Sequence, residues 1–441
     1  MRKLTIDIGG ALLLLLSMLM TACVSGDSEG DGGVVVSPET DDCYLDIYVY
    51  APDRPIVTRA DVGPIAAIYE AESKIHSLQI WVFRHDDAST ATAVGYLEPD
   101  PVFLNETGYQ KYQMLLDRDF VKTLEAVDVY VVANAASVGL TTLNEKTTRA
   151  SLDAAVINTE YFGTTDLYDK DELDQDGHPD ATPASGRIAT SGLPMSAIAE
   201  EQPIWGSFPH LRIGRSENET TILELTRAVS KLRFVLCQIK DQIASKTLVS
   251  IDEIKLDGGL IPTETSLLPG TTSYTGKYAT GNPPSDTITF VGTGKEIEKL
   301  LHSGNDHPSW VLPSVVNPLA YAYETQSAQE YEDMINQAIA GTYKADENDE
   351  ALKELGLTYL RESDKQLTGT ITYTYNDGTH DVSNQQATFS MAAPGDFLRN
   401  HSWIVYIYYM DSEIYTLTVT HIGMRSWNDD PNSENPIVYN W

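Results

Sequence analysis

Leu45-Asp46-Ile47-Tyr48-Val49-Tyr50 alternates with a period of two, and Leu45, Ile47 and Val49 share one face. That is the spacing of a strand with one side turned to a core. The signature recurs. Leu78-Gln79-Ile80-Trp81-Val82-Phe83 and Val127-Asp128-Val129-Tyr130-Val131-Val132 are rich in β-branched and aromatic residues, and stretches 232–239, 370–375, 388–391, 403–409 and 415–420 follow suit. Asn376-Asp377-Gly378 is a hairpin signal, because Asp-Gly readily supplies the positive φ angles of a tight turn. Strands joined by hairpins and long loops, with no alternating βα units, point to antiparallel sandwiches. Two segments break the pattern. Residues 328–340 place Tyr331, Met334, Ile335, Ala338 and Ile339 on one helical stripe ended by Gly341, and residues 147–157 are a second helical stretch.

The chain has 441 residues, about three times a usual domain of roughly 150, so two domains and a targeting segment are expected. Hydrophobic residues at 42% and charged residues at 21% are ordinary for globular chains. The balance of charge is not: 64 acidic against 30 basic residues leave −34, a surface that repels polyphosphate and excludes nucleic-acid binding. Three cysteines, Cys23, Cys43 and Cys237, rule out a disulfide-dense scaffold.

Met1, Arg2 and Lys3 are followed by an apolar run over residues 11–20, broken by Ser17, and then by the small residues Thr21 and Ala22. Residues 1–22 read as a secretory signal peptide whose apolar core is shorter than the roughly 20 residues of a membrane span. Met20-Thr21-Ala22-Cys23 looks like a lipobox with Met where Leu is usual, making Cys23 a lipid-modified N-terminus. Two or three acyl chains hold a protein on a membrane where one does not. Residues 24–33, VSGDSEGDGG, are too polar to fold and form a tether. Their acidity resembles the export signal of surface lipoproteins in Bacteroidetes-type bacteria.

No catalytic pattern emerges. The nine histidines are scattered, and HExxH, CxxC, GxSxG and P-loop motifs are missing from the sequence. His302, Asp306 and His307 fit no recurrent zinc spacing. Asp174 and Asp176 half resemble a calcium loop, but an EF-hand frame would begin at Glu172 and put its bidentate acid at Pro183, so a solvated loop is the better reading. Cys237, spaced with Val235 and Ile239, reads as a buried thiol. The expectation is a protein that is not an enzyme and carries no cofactor.

Several stretches, in order, resemble the fimbrillins, the type V pilins of Bacteroidales bacteria. They are the lipoprotein signal ending at Cys23, the LDIYVY strand, Arg59-Ala60, SKIHSLQIWVF from Ser73, and VYVVANA from Val129 to Ala135. Leu193-Pro194-Met195-Ser196 and Leu225-Thr226-Arg227-Ala228-Val229-Ser230-Lys231-Leu232 look like the family's LPMSG and L-x-R-A-V-A-K-L elements, with Ala197 and Ser230 as departures; Arg399-Asn400-His401 and Trp427 complete the match. For fold, the resemblance implies two tandem transthyretin-like antiparallel β-sandwich domains with a few short helices. With a composition shift over residues 206–220, the division is a signal peptide at 1–22, a lipidated propeptide at 23–59, an N-terminal domain at 60–215 and a C-terminal domain at 216–441.

The resemblance also implies a mechanism. Leu45, Ile47 and Val49 would belong to a cover strand completing the first domain, and cleavage between Arg59 and Ala60 by an Arg-specific protease would free it. Arg54 is the poorer site because Pro55 follows it. A neighbouring subunit would then fill the groove by β-strand addition. Residues 436–441 are the candidate donor, with Ile437, Tyr439 and Trp441 on one face; the competing reading makes them an edge strand of their own domain, and the donor could include the strand from Tyr415 onward. The expected partners are other pilin subunits in a homo- or heteropolymer, the outer membrane through lipid before processing, and a host protein or glycan. The expected location is the cell surface, first as an outer-membrane lipoprotein and then as a fimbrium. An uncleaved anchor or accessory pilin is one alternative. A glycan-binding surface lipoprotein is another, and would need Trp205, Trp310 and Trp403 exposed.

Overall fold

The computed structural model describes residues 42–50, 72–100, 102, 109–117, 126–159, 161–162, 192–237, 246–270, 273–281, 284, 286–291, 352–391, 393–410, 412–422 and 437–439. They begin with β1 (Asp42–Tyr50), β2 (Leu78–Arg84), β3 (Gly95–Leu97), β4 (Tyr109–Asp117) and β5 (Ala126–Ala133), followed by a short helix, α1 (Arg149–Asp153). Next come β6 (Val156–Ile157), β7 (Tyr161–Phe162), β8 (Met195–Ser207), β9 (His210–Ile213), β10 (Ile222–Glu224) and β11 (Thr226–Arg227). β12 (Ser230–Cys237), β13 (Thr247–Leu256), β14 (Thr265–Ser266), β15 (Ile288–Val291) and β16 (Leu352–Leu360) continue the chain. β17 (Leu367–Asn376), β18 (Asp381–Met391), β19 (His401–Met410), β20 (Glu413–Ile422) and β21 (Ile437–Tyr439) end it. The fold is all-β.

One nine-stranded sheet holds β10, β1, β9, β8, β5, β2 and β3 in that order, with β11 on β8 and β4 on β1. It curls into two layers because β8 crosses between them. The first part of β8 pairs with β5, and its last residues, from Ile204, pair with β9. The bend falls where the β5–β8 register shifts between Val127 and Val129. There the buried Asp128 accepts the backbone N–H of Glu201, a residue at φ 53, at 2.8 Å. β2 and β5 are buried almost end to end, so their alternation is hidden by cover on both faces. The second cover is the segment around α1: the Trp81 indole donates to the Asn144 carbonyl at 2.9 Å and the Tyr130 hydroxyl to Asp153 at 3.2 Å.

A six-stranded sheet runs β21-β20-β19-β12-β16-β7 and a four-stranded sheet runs β15-β13-β17-β18, all of their strands except β7 coming from beyond Arg227. They face one another through aromatic side chains. Phe234 of β12 meets Phe290 of β15 edge-on at 4.9 Å, and Tyr373 of β17 meets Tyr409 of β19 at 6.2 Å. Strand pairs cross the middle of the chain: β7 pairs with β16 and β6 with β14, while β10 and β11, which lie past residue 215, pair back onto β1 and β8.

Some local expectations need revision. The helix expected over residues 147–157 is confined to α1, whose N-cap Thr148 accepts from Ser151 N–H, and Val156–Ile157 is already strand. The hairpin at Asn376 pairs Asn376 with Asp381, so its loop has four residues, closed by Asp377 N–H on the His380 carbonyl at 3.1 Å. In β12 the described apolar core face is Leu232, Phe234 and Leu236. The Cys237 side chain and the helix expected over 328–340 lie outside the described residues.

Candidate functional site

β1 lies between three strands. All nine of its residues pair antiparallel with β4, from Asp42 opposite Asp117 to Tyr50 opposite Tyr109. Along its other edge, residues 44–46 pair parallel with β9 and residues 48–50 with β10. Two loop bonds reinforce the seat: Tyr44 N–H donates to the Pro209 carbonyl at 2.8 Å, and Leu225 N–H donates to the Tyr50 carbonyl at 2.9 Å. Among the described residues, β4 is hydrogen-bonded into the sheet through β1 alone.

The inward row of β1 is Cys43, Leu45, Ile47 and Val49, each 0% exposed. Cys43 lies opposite Leu116, Leu45 between Met114 and Leu211, Ile47 opposite Tyr112, and Val49 between Gln110 and Leu223. Beneath β4 the second layer comes so close at Gly95 that a Cβ there would sit 2.2 Å from Met114 Sδ and 2.7 Å from a Leu116 methyl. The outward row is polar and aromatic. Tyr44 stacks on His210 with centroids 5.6 Å apart, and Asp46 accepts from Lys111 Nζ at 3.2 Å and Gln113 Nε2 at 3.0 Å.

The chain after the candidate cut is held separately. Lys231 Nζ pairs with Glu72 Oε1 at 2.6 Å, and the Tyr359 hydroxyl donates to the same oxygen at 2.5 Å. Arg227 donates through Nε to the Glu72 carbonyl at 3.1 Å, through Nη2 to Ser73 Oγ at 3.0 Å and through Nη1 to Asn400 Oδ1 at 3.2 Å. Burial pushes the Arg227 guanidinium pKa down, and Glu72 draws it back up. Asn134, in the left-handed region at φ 57, accepts from His76 N–H at 2.8 Å and donates to the carbonyls of Lys74 at 2.9 Å and Leu193 at 2.8 Å. Residues from VYVVANA, LPMS, LTRAVSKL and RNH thus meet around residues 72–76.

Leu45, Ile47 and Val49 are brought together in the β1 row as expected from their spacing. Ile437 and Tyr439 lie in β21, paired with Thr420 and Thr418 of β20. Cys23, Arg59, Ala60, Asp174, Asp176, Trp310 and Trp441 lie outside the described residues. Trp403 is fully buried and so is no platform for a sugar, while the half-buried Trp205 donates its indole N–H to the Gly214 carbonyl at 2.8 Å. Among the described residues, no group of three or more His, Cys, Asp or Glu could hold a metal ion, and no helix is long and apolar enough to cross a membrane.

Sequence reading missed β4 and the Glu72 clasp. In YQKYQMLLD the buried Tyr112, Met114 and Leu116 do alternate, but Leu115, 58% exposed beside Leu116, obscures the period. Glu72 and Asn134 gave no periodic signal, since their roles are contacts distant in sequence.

No family model matches the chain, and no curated protein matches it. Solved structures do. It is similar to the tip fimbrial protein Mfa3 from Porphyromonas gingivalis at 13% identity and TM-score 0.38, covering 86% of this chain and 99% of that one. A fimbrial assembly protein from Parabacteroides distasonis aligns at 12% identity and TM-score 0.39, covering 91% of this chain and 100% of that one. The fimbrial anchor protein Mfa2 from Porphyromonas gingivalis aligns at 9% identity and TM-score 0.32, covering 86% of this chain and 97% of that one.

Proposed function

We propose that the chain is the precursor of a structural subunit of a cell-surface fimbria that supports adhesion. It is exported as a lipoprotein on Cys23, cut between Arg59 and Ala60, and polymerised by exchange of β1 for a strand of a neighbouring subunit. The observation that carries this reading is the asymmetry about residues 51–71. Upstream, β1 is seated by main-chain pairing on both edges and by one row of aliphatic side chains, the contacts another strand can reproduce. Downstream, residues 72–76 are fixed by buried ionic and amide contacts that no incoming strand would replace.

A cut between the two turns a covalently tethered strand into an exchangeable one. Loss of β1 leaves two unpaired edges and an apolar floor, a state that demands refilling. Filling by a neighbour is a head-to-tail, heterologous contact that does not close on itself, so it extends as a filament. In this scheme the two domains, 60–215 and 216–441, form the rod unit, with β10 and β11 reaching back to line and support the groove. Lipid serves delivery alone, because the cut separates the subunit from Cys23.

Treatment of the precursor with an Arg-specific protease, followed by N-terminal sequencing and native electrophoresis of the products with surface extract from the producing cell, tests the reading. A new N-terminus at Ala60 with ladders appearing only after the cut supports it. A lipidated Cys23 terminus in surface fimbriae, with no assembly after cleavage, contradicts it.

A further inference from the structure

We infer that the groove under β1 takes its strand from a different kind of subunit, one presenting a small residue and then three aliphatic residues at alternate positions, and that it rejects the segment 437–441 of its own kind. The inference rests on the strand-exchange reading and adds the identity of the donor.

A strand that replaces β1 in its own direction, antiparallel to β4 and parallel to β9 and β10, meets the floor in the order of Cys43, Leu45, Ile47 and Val49; reversed, it meets the same four positions in the opposite order. All four positions are closed to solvent. Their neighbours on either side are already large: Met114 and Leu211 at position 45, Tyr112 at 47, Gln110 and Leu223 at 49. The side-chain ends of Met114 and Leu116 already fill the space over Gly95, where an added Cβ would lie 2.2 Å from Met114 Sδ and 2.7 Å from a Leu116 methyl. Cores of this density resist added volume, and a bulkier side chain must force its neighbours off their rotamers.

In the direction of β1, three registers put both Ile437 and Tyr439 on the floor. With Ile437 at position 45, Tyr439 falls at 47 beside Tyr112, Trp441 falls at 49, and Pro436 falls at 44. Proline has no N–H, so the Pro209 carbonyl that now accepts from Tyr44 N–H loses its donor. With Ile437 at 43, isoleucine replaces cysteine against Leu116, Tyr439 enters the leucine slot, and Trp441 enters the isoleucine slot. With Ile437 at 47, Tyr439 takes the valine slot. A tyrosine occupies an aliphatic position in every case. Shifting by one residue instead would turn the whole row outward. Extending the donor to include β20 does not help, since β20 pairs with β19 over ten residues and its removal would tear the six-stranded sheet. The groove and the tail are therefore mismatched halves, each suited to a partner of another sequence.

The full chain, cut with an Arg-specific protease, is titrated with three synthetic peptides, and release of the β1 fragment is followed by native mass spectrometry. The peptides are residues 42–50, residues 435–441, and residues 435–441 carrying Pro436→Gln, Tyr439→Val and Trp441→Val. The first and third are expected to displace the fragment, and the unaltered tail to need at least tenfold more peptide. Displacement by the unaltered tail at the concentration of the first peptide overturns the inference while leaving strand exchange standing, as does failure of the altered tail to gain over it. Failure of all three, residues 42–50 included, overturns exchange and the inference together.

Discussion

Ile47→Ala isolates what holds β1 in place. Ile47 is fully buried and lies opposite Tyr112, so the change removes three carbon atoms from a closed site and leaves a cavity. Such truncations cost ~2–5 kcal/mol. While β1 is part of the chain, that cost appears as lowered global stability. Once residues 51–71 are cut, it becomes a loss of affinity between the fragment and its groove, and at about 1.4 kcal/mol per tenfold it corresponds to roughly 30-fold to a few thousand-fold. Asp46→Asn is the matched control on the outward row. It removes an exposed pair with Lys111 of a kind worth ~0–1 kcal/mol and should shift affinity less than about tenfold. The assay is dilution of the nicked protein, with bound fragment counted by native mass spectrometry. Retention of the Ile47→Ala fragment equal to wild type, or equal loss from Asp46→Asn, would refute the claim that the inward row seats the strand.

Lys231→Met strands the buried Glu72 carboxylate and should cost about 3–5 kcal/mol in urea unfolding, whereas the double change with Glu72→Gln recovers most of it. His85 sits 2.8 Å from buried Asp128, which raises its pKa above 6.5 through their hydrogen bond, with Glu201 and Asp86 adding attraction. A raised folded value means the stabilisation is fully present below the unfolded pKa of about 6.5 and is lost as pH rises through the folded value, so the Tm gap between wild type and His85→Gln should be widest in mild acid and close on the alkaline side. Gly369→Ala in β17 would place a Cβ 2.3 Å from the Lys255 carbonyl oxygen of the paired strand, and thermal unfolding should register a loss of ~1–3 kcal/mol or more.

The strands with one wet face were legible in the sequence because burial follows parity: Leu45, Ile47 and Val49 are the clearest case, and the cover-strand role proposed for them rests on resemblance. β2 and β5 were legible by composition, since full burial hides their alternation. What the sequence did not disclose is how β1 is held. Its pairing with β9 and β10 joins residues more than 160 positions apart, and nothing local to DCYLDIYVY signals that it runs parallel there and antiparallel to β4. The clasp on Glu72 was hidden for the same reason. Arg227 and Lys231 were quoted as motif residues, but a charged pair in a strand-rich stretch reads as surface until the structure places both at 2% exposure.

Hydrogen–deuterium exchange along β4, before and after the Arg-specific cut, tests strand exchange most directly. β4 is tied into the sheet through β1, so Tyr109–Asp117 should be protected in the precursor, lose protection when the cut fragment is removed, and regain it when a peptide of residues 42–50 is added. β2 and β5 should stay protected throughout. Protection of β4 that survives loss of the fragment would mean that β1 is not its cover, and would contradict the exchange account.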